Sequence, residues 1–127
     1  MTEPSIWNPT QEEARKTLLI DDQRTFPARV ICRTVTDGMR ALVSMGPFET
    51  LLLDQNLFCY GDDDIGMSIL VLLSRWAKEQ RPKRIISVSA TAAKELTEAA
   101  AALVGEENTG WINIENGQWV FRQGIAT

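Results

Sequence analysis

Two short apolar runs that end in carboxylates constrain this chain more than any other feature. Thr17-Leu18-Leu19-Ile20 closes on Asp21-Asp22, and Thr50-Leu51-Leu52-Leu53 closes on Asp54. An uninterrupted apolar run of this length reads as a strand buried on both faces, as in a parallel sheet wrapped by helices. An acid at its end is delivered to the carboxyl edge of the sheet, where open α/β folds bind their ligands. Carboxylates crowded at one edge repel one another unless a cation sits among them. Asp21, Asp22 and Asp54 are therefore candidate ligands for a divalent cation, and through it for a phosphoryl group. The competing reading is that these acids only cap the loops and helices that follow.

The rest of the pattern alternates strands with helices. Gln23-Arg24-Thr25-Phe26-Pro27 leaves no room for a helix before a second strand, Arg29 to Cys32. Val35, Met39, Leu42 and Val43 then follow helical spacing up to Gly46-Pro47. Ile69, Leu72, Leu73 and Trp76 stripe a helix that Pro82 stops, Arg84 to Val88 forms a strand reaching Ser89, and Leu96, Ala99, Ala100 and Leu103 stripe a last helix closed by Gly105. In the tail, 111–114 and 118–121 flank Glu115-Asn116-Gly117, the signature of a tight hairpin. The expected fold is α/β, a mainly parallel sheet with right-handed crossovers, its tail hairpin covering or extending one edge. Residues 1–16 read as a polar leader, with Thr10 and Glu13 placed for a capping box and Trp7 placed to pin it to the body. Residues 17–127, hairpin 111–121 included, read as one domain.

Bulk properties argue against several function classes. The chain has 127 residues, a net charge of −4 and no histidine. A dedicated nucleic-acid binder would show a basic footprint. The basic group Lys78, Arg81, Lys83 and Arg84 could touch nucleic acid, but it is interrupted by Glu79 and sits where a helix end favours cations, which is the preferred reading. The apolar run from Ala99 to Val104 is too short to cross a membrane, and Met1-Thr2-Glu3-Pro4 lacks the regions of a secretion signal, so a cytoplasmic protein is expected. Cys32 and Cys59 form no CxxC pair and read as free thiols. Without histidine, any catalysis rests on carboxylates, hydroxyls, arginine and a hard cation.

Other residues add to the acids. Ser89 and Thr91, after the fourth strand, either donate hydroxyl hydrogen bonds to a phosphoryl oxygen or cap the last helix. Arg24 and Arg33 are either anion clamps or members of ordinary ion pairs. Asp62-Asp63-Asp64 lacks the ligand spacing of an EF-hand and reads as a solvated turn. Trp111, Trp119 and Phe121 read either as cover for the core or as a docking surface, with core cover favoured.

Together these residues resemble the response-regulator receiver domain. The resemblance implies that Asp54 is a phosphoacceptor, that Asp21 and Asp22 hold Mg²⁺ with the carbonyl of Asn56, and that Ser89 contacts the phosphoryl group. The lysine such domains carry on strand five is missing from the Trp111–Ile114 segment, and so is the helix after strand one. A closer similarity is to the receiver-like group called the cyclic-phosphate processing receiver domain, over residues 17–104. Ile20-Asp21-Asp22-Gln23-Arg24 with Pro27, then Arg33-Thr34 with Gly38 to Leu42, then Leu53-Asp54-Gln55-Asn56-Leu57 with Gly61 to Gly66 resemble its motifs. Its histidines are absent: Gln55 and Asn56 replace the His and the second Asp of the third motif, and Val88-Ser89-Ala90-Thr91 lacks the His and Asn of the fourth. The resemblance thus implies a regulatory or binding domain with a Mg²⁺-binding acidic edge, recognising a phosphorylated ligand or a protein partner, its catalysis lost. The alternatives are a Mg²⁺-dependent phosphoesterase acting on cyclic or terminal nucleotide phosphates and a single-domain receiver phosphorylated on Asp54.

Overall fold

Along the described residues, 3–55, 68–88 and 93–127 of a computed structural model, the chain builds one sheet of seven strands. They are β1 (Ser5–Ile6), β2 (Thr17–Ile20), β3 (Val30–Cys32), β4 (Thr50–Leu53), β5 (Arg84–Ser87), β6 (Thr109–Glu115) and β7 (Gln118–Gln123). Their order in space is β1-β7-β6-β5-β4-β2-β3. Strands β2 to β6 run parallel to their neighbours, whereas β7 and β1 are added antiparallel. Counted along the chain, the parallel strands stand 2-1-3-4-5, so the fold is α/β and compatible with the flavodoxin-like arrangement. All of β2 and β4 is buried, as their apolar runs require.

Three helical stretches cover one face of the sheet. α2 (Val35–Met45) starts where Thr34 Oγ1 accepts the Asp37 N–H at 3.0 Å. α3 (Ile69–Leu72), a π-helical turn over Leu73–Ala77 and α4 (Lys78–Gln80) follow one another without a break. Arg81 then turns left-handed, at φ 49°, ahead of Pro82. α5 (Ala93–Val104) completes the layer. Val35, Leu42, Ile69, Leu72, Leu96 and Ala100 from these helices pack on Leu18, Ile20, Leu51, Leu53 and Ile85. The stripe expected on α2 is corrected at one residue. Val43 is 53% exposed, and Ala41 and Gly38 are buried in its place. The helix axis approaches β2 so closely that a Cβ at Gly38 would stand 2.8 Å from Ile20 Cγ1 and closer still to Cδ1.

The opposite face is roofed differently, because the nine residues between β2 and β3 hold no helix. Leu19, Leu52, Ile86 and Ile112 point to this side, and Phe26, Ala28, Val88, Trp7, Trp119 and Phe121 pack against them. Phe26 leaves the end of β2, yet its ring centroid lies 4.8 Å from that of Trp119 on β7. Three strands separate β2 from β7, so in a flat sheet they would stand about 19 Å apart. The first connection therefore reaches across this face of the sheet toward β7, and the Phe26 and Trp119 side chains close the remaining gap.

The leader belongs to this roof. A capping box starts α1 (Gln11–Ala14), as its sequence predicts, with Glu13 N–H donating to Thr10 Oγ1 at 3.1 Å and Thr10 N–H donating to Glu13 Oε1 at 3.0 Å. Trp7 packs on Phe121 at 5.6 Å and lies under the Arg84 guanidinium. β1, which the sequence does not announce, pairs with β7. The tail extends the sheet, and only its second strand is antiparallel to the body, since β6 pairs parallel with β5. The turn is the expected one, Asn116 and Gly117 both having positive φ (51° and 77°). Among the described residues, no helix is long and apolar enough to cross a membrane.

Candidate cation site at the carboxyl edge

The parallel ladder carries the acids to their positions. Asp21 N–H donates to the Cys32 carbonyl and Asp54 N–H to the Ile20 carbonyl, both at 3.0 Å, so each residue continues its strand by one step. Asp21 and Asp54 are buried and Asp22 is partly buried. One oxygen from each of the three lies within 4.8 Å of the others, a cluster that could hold a metal ion. Oxygens bound to one Mg²⁺ at about 2.1 Å stand no more than about 4.2 Å apart. Three ligands on one octahedral ion include at least two cis pairs about 3.0 Å apart, so the cluster would have to tighten around such an ion, and an all-oxygen donor set suits a hard cation.

Asp21 needs partners because its side chain has no exposed surface. Its Oδ1 accepts the backbone N–H groups of Gln23 and Arg24 at 2.9 and 3.1 Å. Its Oδ2 accepts from Arg24 Nη1 at 3.1 Å, and the same nitrogen lies 3.5 Å from Asp54 Oδ2. Arg24 therefore points toward the acids and offsets part of the charge of Asp21 and Asp54. Arg33 does something else again. It donates through Nη1 to the carbonyls of Asp21 and Arg24, and through Nη2 to Thr25 Oγ1 at 2.9 Å. It is a staple that fixes the connection in the absence of a helix.

Two residues at this edge were not singled out as functional by sequence. Gln55 follows Asp54 directly, and its Nε2 donates to Glu95 Oε2 on α5 at 2.8 Å. Its buried Oε1 has no partner among the described residues. Glu95 carries no motif, since only the fold brings it to Gln55. Cys32, beneath Asp21, is no activated nucleophile: burial pushes its thiol up, and the Asp37 charge adds to the effect.

Asn56, Ser89 and Thr91, and with them Gly61 to Asp64 and Cys59, lie outside the described residues. The basic group disperses. Lys83 pairs with Glu49 at 3.1 Å and Arg84 with Glu13 at 3.5 Å, while Lys78 and Arg81 line a separate cavity of about 390 Å³. A cleft of about 560 Å³ lies by the hairpin, lined by Glu106, Glu107, Trp111 and Arg122 among others. Its glutamates are exposed, and its arginine already pairs with Glu115 at 2.8 Å. Buried, concentrated charge distinguishes the Asp21 edge from both cavities. Comparison with known proteins finds no family model that matches this chain, no similar curated protein and no similar solved structure.

Proposed function

We propose that this chain is a receiver-like regulatory domain that binds Mg²⁺ through Asp21, Asp22 and Asp54 and recognises a phosphorylated ligand or a partner protein at that edge. The observation that carries the reading is the convergence of these acids at the carboxyl ends of β2 and β4, within 4.8 Å of one another. Isolated surface acids have no reason to be buried. Acids gathered at the ligand-binding edge of a parallel sheet do. The bound ion would offer phosphate oxygens a positive charge with open positions, since Mg²⁺ keeps several of its sites for water or substrate. In the same reading the Asn56 carbonyl completes the ion's ligands, and Ser89 and Thr91 donate to the phosphoryl group. The chain has no histidine to move protons, which favours recognition over turnover.

The test is a melting series with Mg²⁺, followed by inorganic phosphate or a small phosphodonor, on the wild type and Asp54→Asn. A ligand present at a hundredfold its dissociation constant adds about 2.7 kcal/mol. Saturable stabilisation by Mg²⁺, enhanced by phosphate and lost in the variant, is expected. Acid-labile labelling on Asp54 would put the phosphorylated-receiver reading in its place. Turnover of cyclic phosphates that Asp54→Asn abolishes would do the same for the phosphoesterase.

A further inference from the structure

We propose that Arg24 is the built-in counter-ion of this edge, and that a divalent cation enters only by displacing its guanidinium. The inference rests on the cation-binding reading above and deepens it. Asp21 has one oxygen left for a metal, because Oδ1 is occupied by two backbone N–H groups. That remaining oxygen, Oδ2, faces Arg24 Nη1 at 3.1 Å, and the nitrogen also lies 3.5 Å from Asp54 Oδ2. One atom of the protein thus sits on the one Asp21 oxygen left for an ion and beside an oxygen of Asp54. Both carboxylates are almost wholly buried, so they offer no second open side. Two cations sharing these oxygens would repel strongly where water screens them poorly.

The surroundings say what moves. Arg33 holds the backbone carbonyls of Asp21 and Arg24 and the Thr25 hydroxyl, so the connection itself stays in place. The Arg24 side chain is 34% exposed and has a route to solvent. Release is therefore a rotamer change and leaves the loop as it is. Once released, the guanidinium stands at the rim of a site holding a divalent cation, where it can grip a phosphate in bidentate fashion. The cation would convert Arg24 from counter-ion to anion clamp. Cation and phosphate would then bind with positive coupling.

Mn²⁺ titrations of the wild type, Arg24→Met and Arg24→Gln test this, each with and without inorganic phosphate. Loss of one competing charge-assisted contact should tighten Mn²⁺ binding by about tenfold or more in both variants. Phosphate should tighten Mn²⁺ binding in the wild type and leave the variants unchanged. If Arg24→Met does not fold, Arg24→Gln, which keeps a neutral donor for the acids, carries the comparison. Equal or weaker Mn²⁺ affinity in a folded variant, with the wild type still binding, overturns the displacement and leaves the cation site standing. No Mn²⁺ bound by any of the three proteins overturns both.

Discussion

Phe26 stands in for a missing helix, and removing its ring should cost the protein a large part of its stability. The side chain is 2% exposed and packs in the cluster of Leu19, Leu52, Ile86, Val88 and Ile112, against the Trp119 ring. Truncating a buried phenylalanine to alanine costs about 3–5 kcal/mol, the spread depending on how far the site collapses. Collapse is opposed here because the wall opposite is a sheet held by its own ladder. Phe26→Ala should therefore lie in the middle of that range, about 4 kcal/mol. An unfolding entropy of about 2.1 cal/mol/K per residue gives roughly 0.27 kcal/mol/K for 127 residues, so the midpoint should drop by about 15 °C. Urea unfolding followed by tryptophan fluorescence measures the change directly. A double-mutant cycle with Trp119→Leu should return a coupling of about 1 kcal/mol for the ring pair. A loss below about 1 kcal/mol, or no coupling, would refute the roof built on the first connection.

Two further substitutions probe other joints. Gly38→Val drives a branched side chain into Ile20, which is itself fully buried, and should destabilise by about 1–3 kcal/mol in the same urea assay, with Asp37→Ala on the exposed side of α2 as a milder comparison. Glu13 is held below its ordinary value of 4.5, mainly by the Thr10 backbone N–H donated to its carboxylate. Its contribution is therefore complete above that value and is lost as the pH falls through the lowered one. Glu13→Gln should flatten that part of the melting temperature's fall in acid, and an unchanged acid slope would contradict the capping box.

Much of this was legible in the sequence because it is local chemistry. Thr17–Ile20 and Thr50–Leu53, uninterrupted apolar runs ending in acids, read as buried parallel strands, and Asn116-Gly117 permits few turns besides the hairpin. Thr10 with Glu13 and Thr34 ahead of α2 are caps within one turn of the residues they serve. What the sequence hid is long-range. β1 is a pair of residues whose only reason to be extended is β7, over a hundred residues away. The π-helical turn at Leu73–Ala77 leaves no mark on a stripe that suits an α-helix equally well. At the site, the strand ends announced all three acids and motif position singled out Arg24. The direction of its guanidinium was not readable, because an arginine beside acids serves equally as clamp for a ligand or as partner for its neighbours. Burial decides between them, and burial belongs to the fold.

The most direct test of the acidic edge is a Mn²⁺ titration observed in amide ¹H–¹⁵N spectra of the wild type and of Asp54→Asn. Paramagnetic broadening should be saturable and should start from Asp21, Asp22, Asp54 and Gln55, weakening along β2 and β4 and vanishing in the variant. Broadening confined to exposed acids such as Glu106 and Glu107, or equally strong in Asp54→Asn, would contradict a cation site at the carboxyl edge.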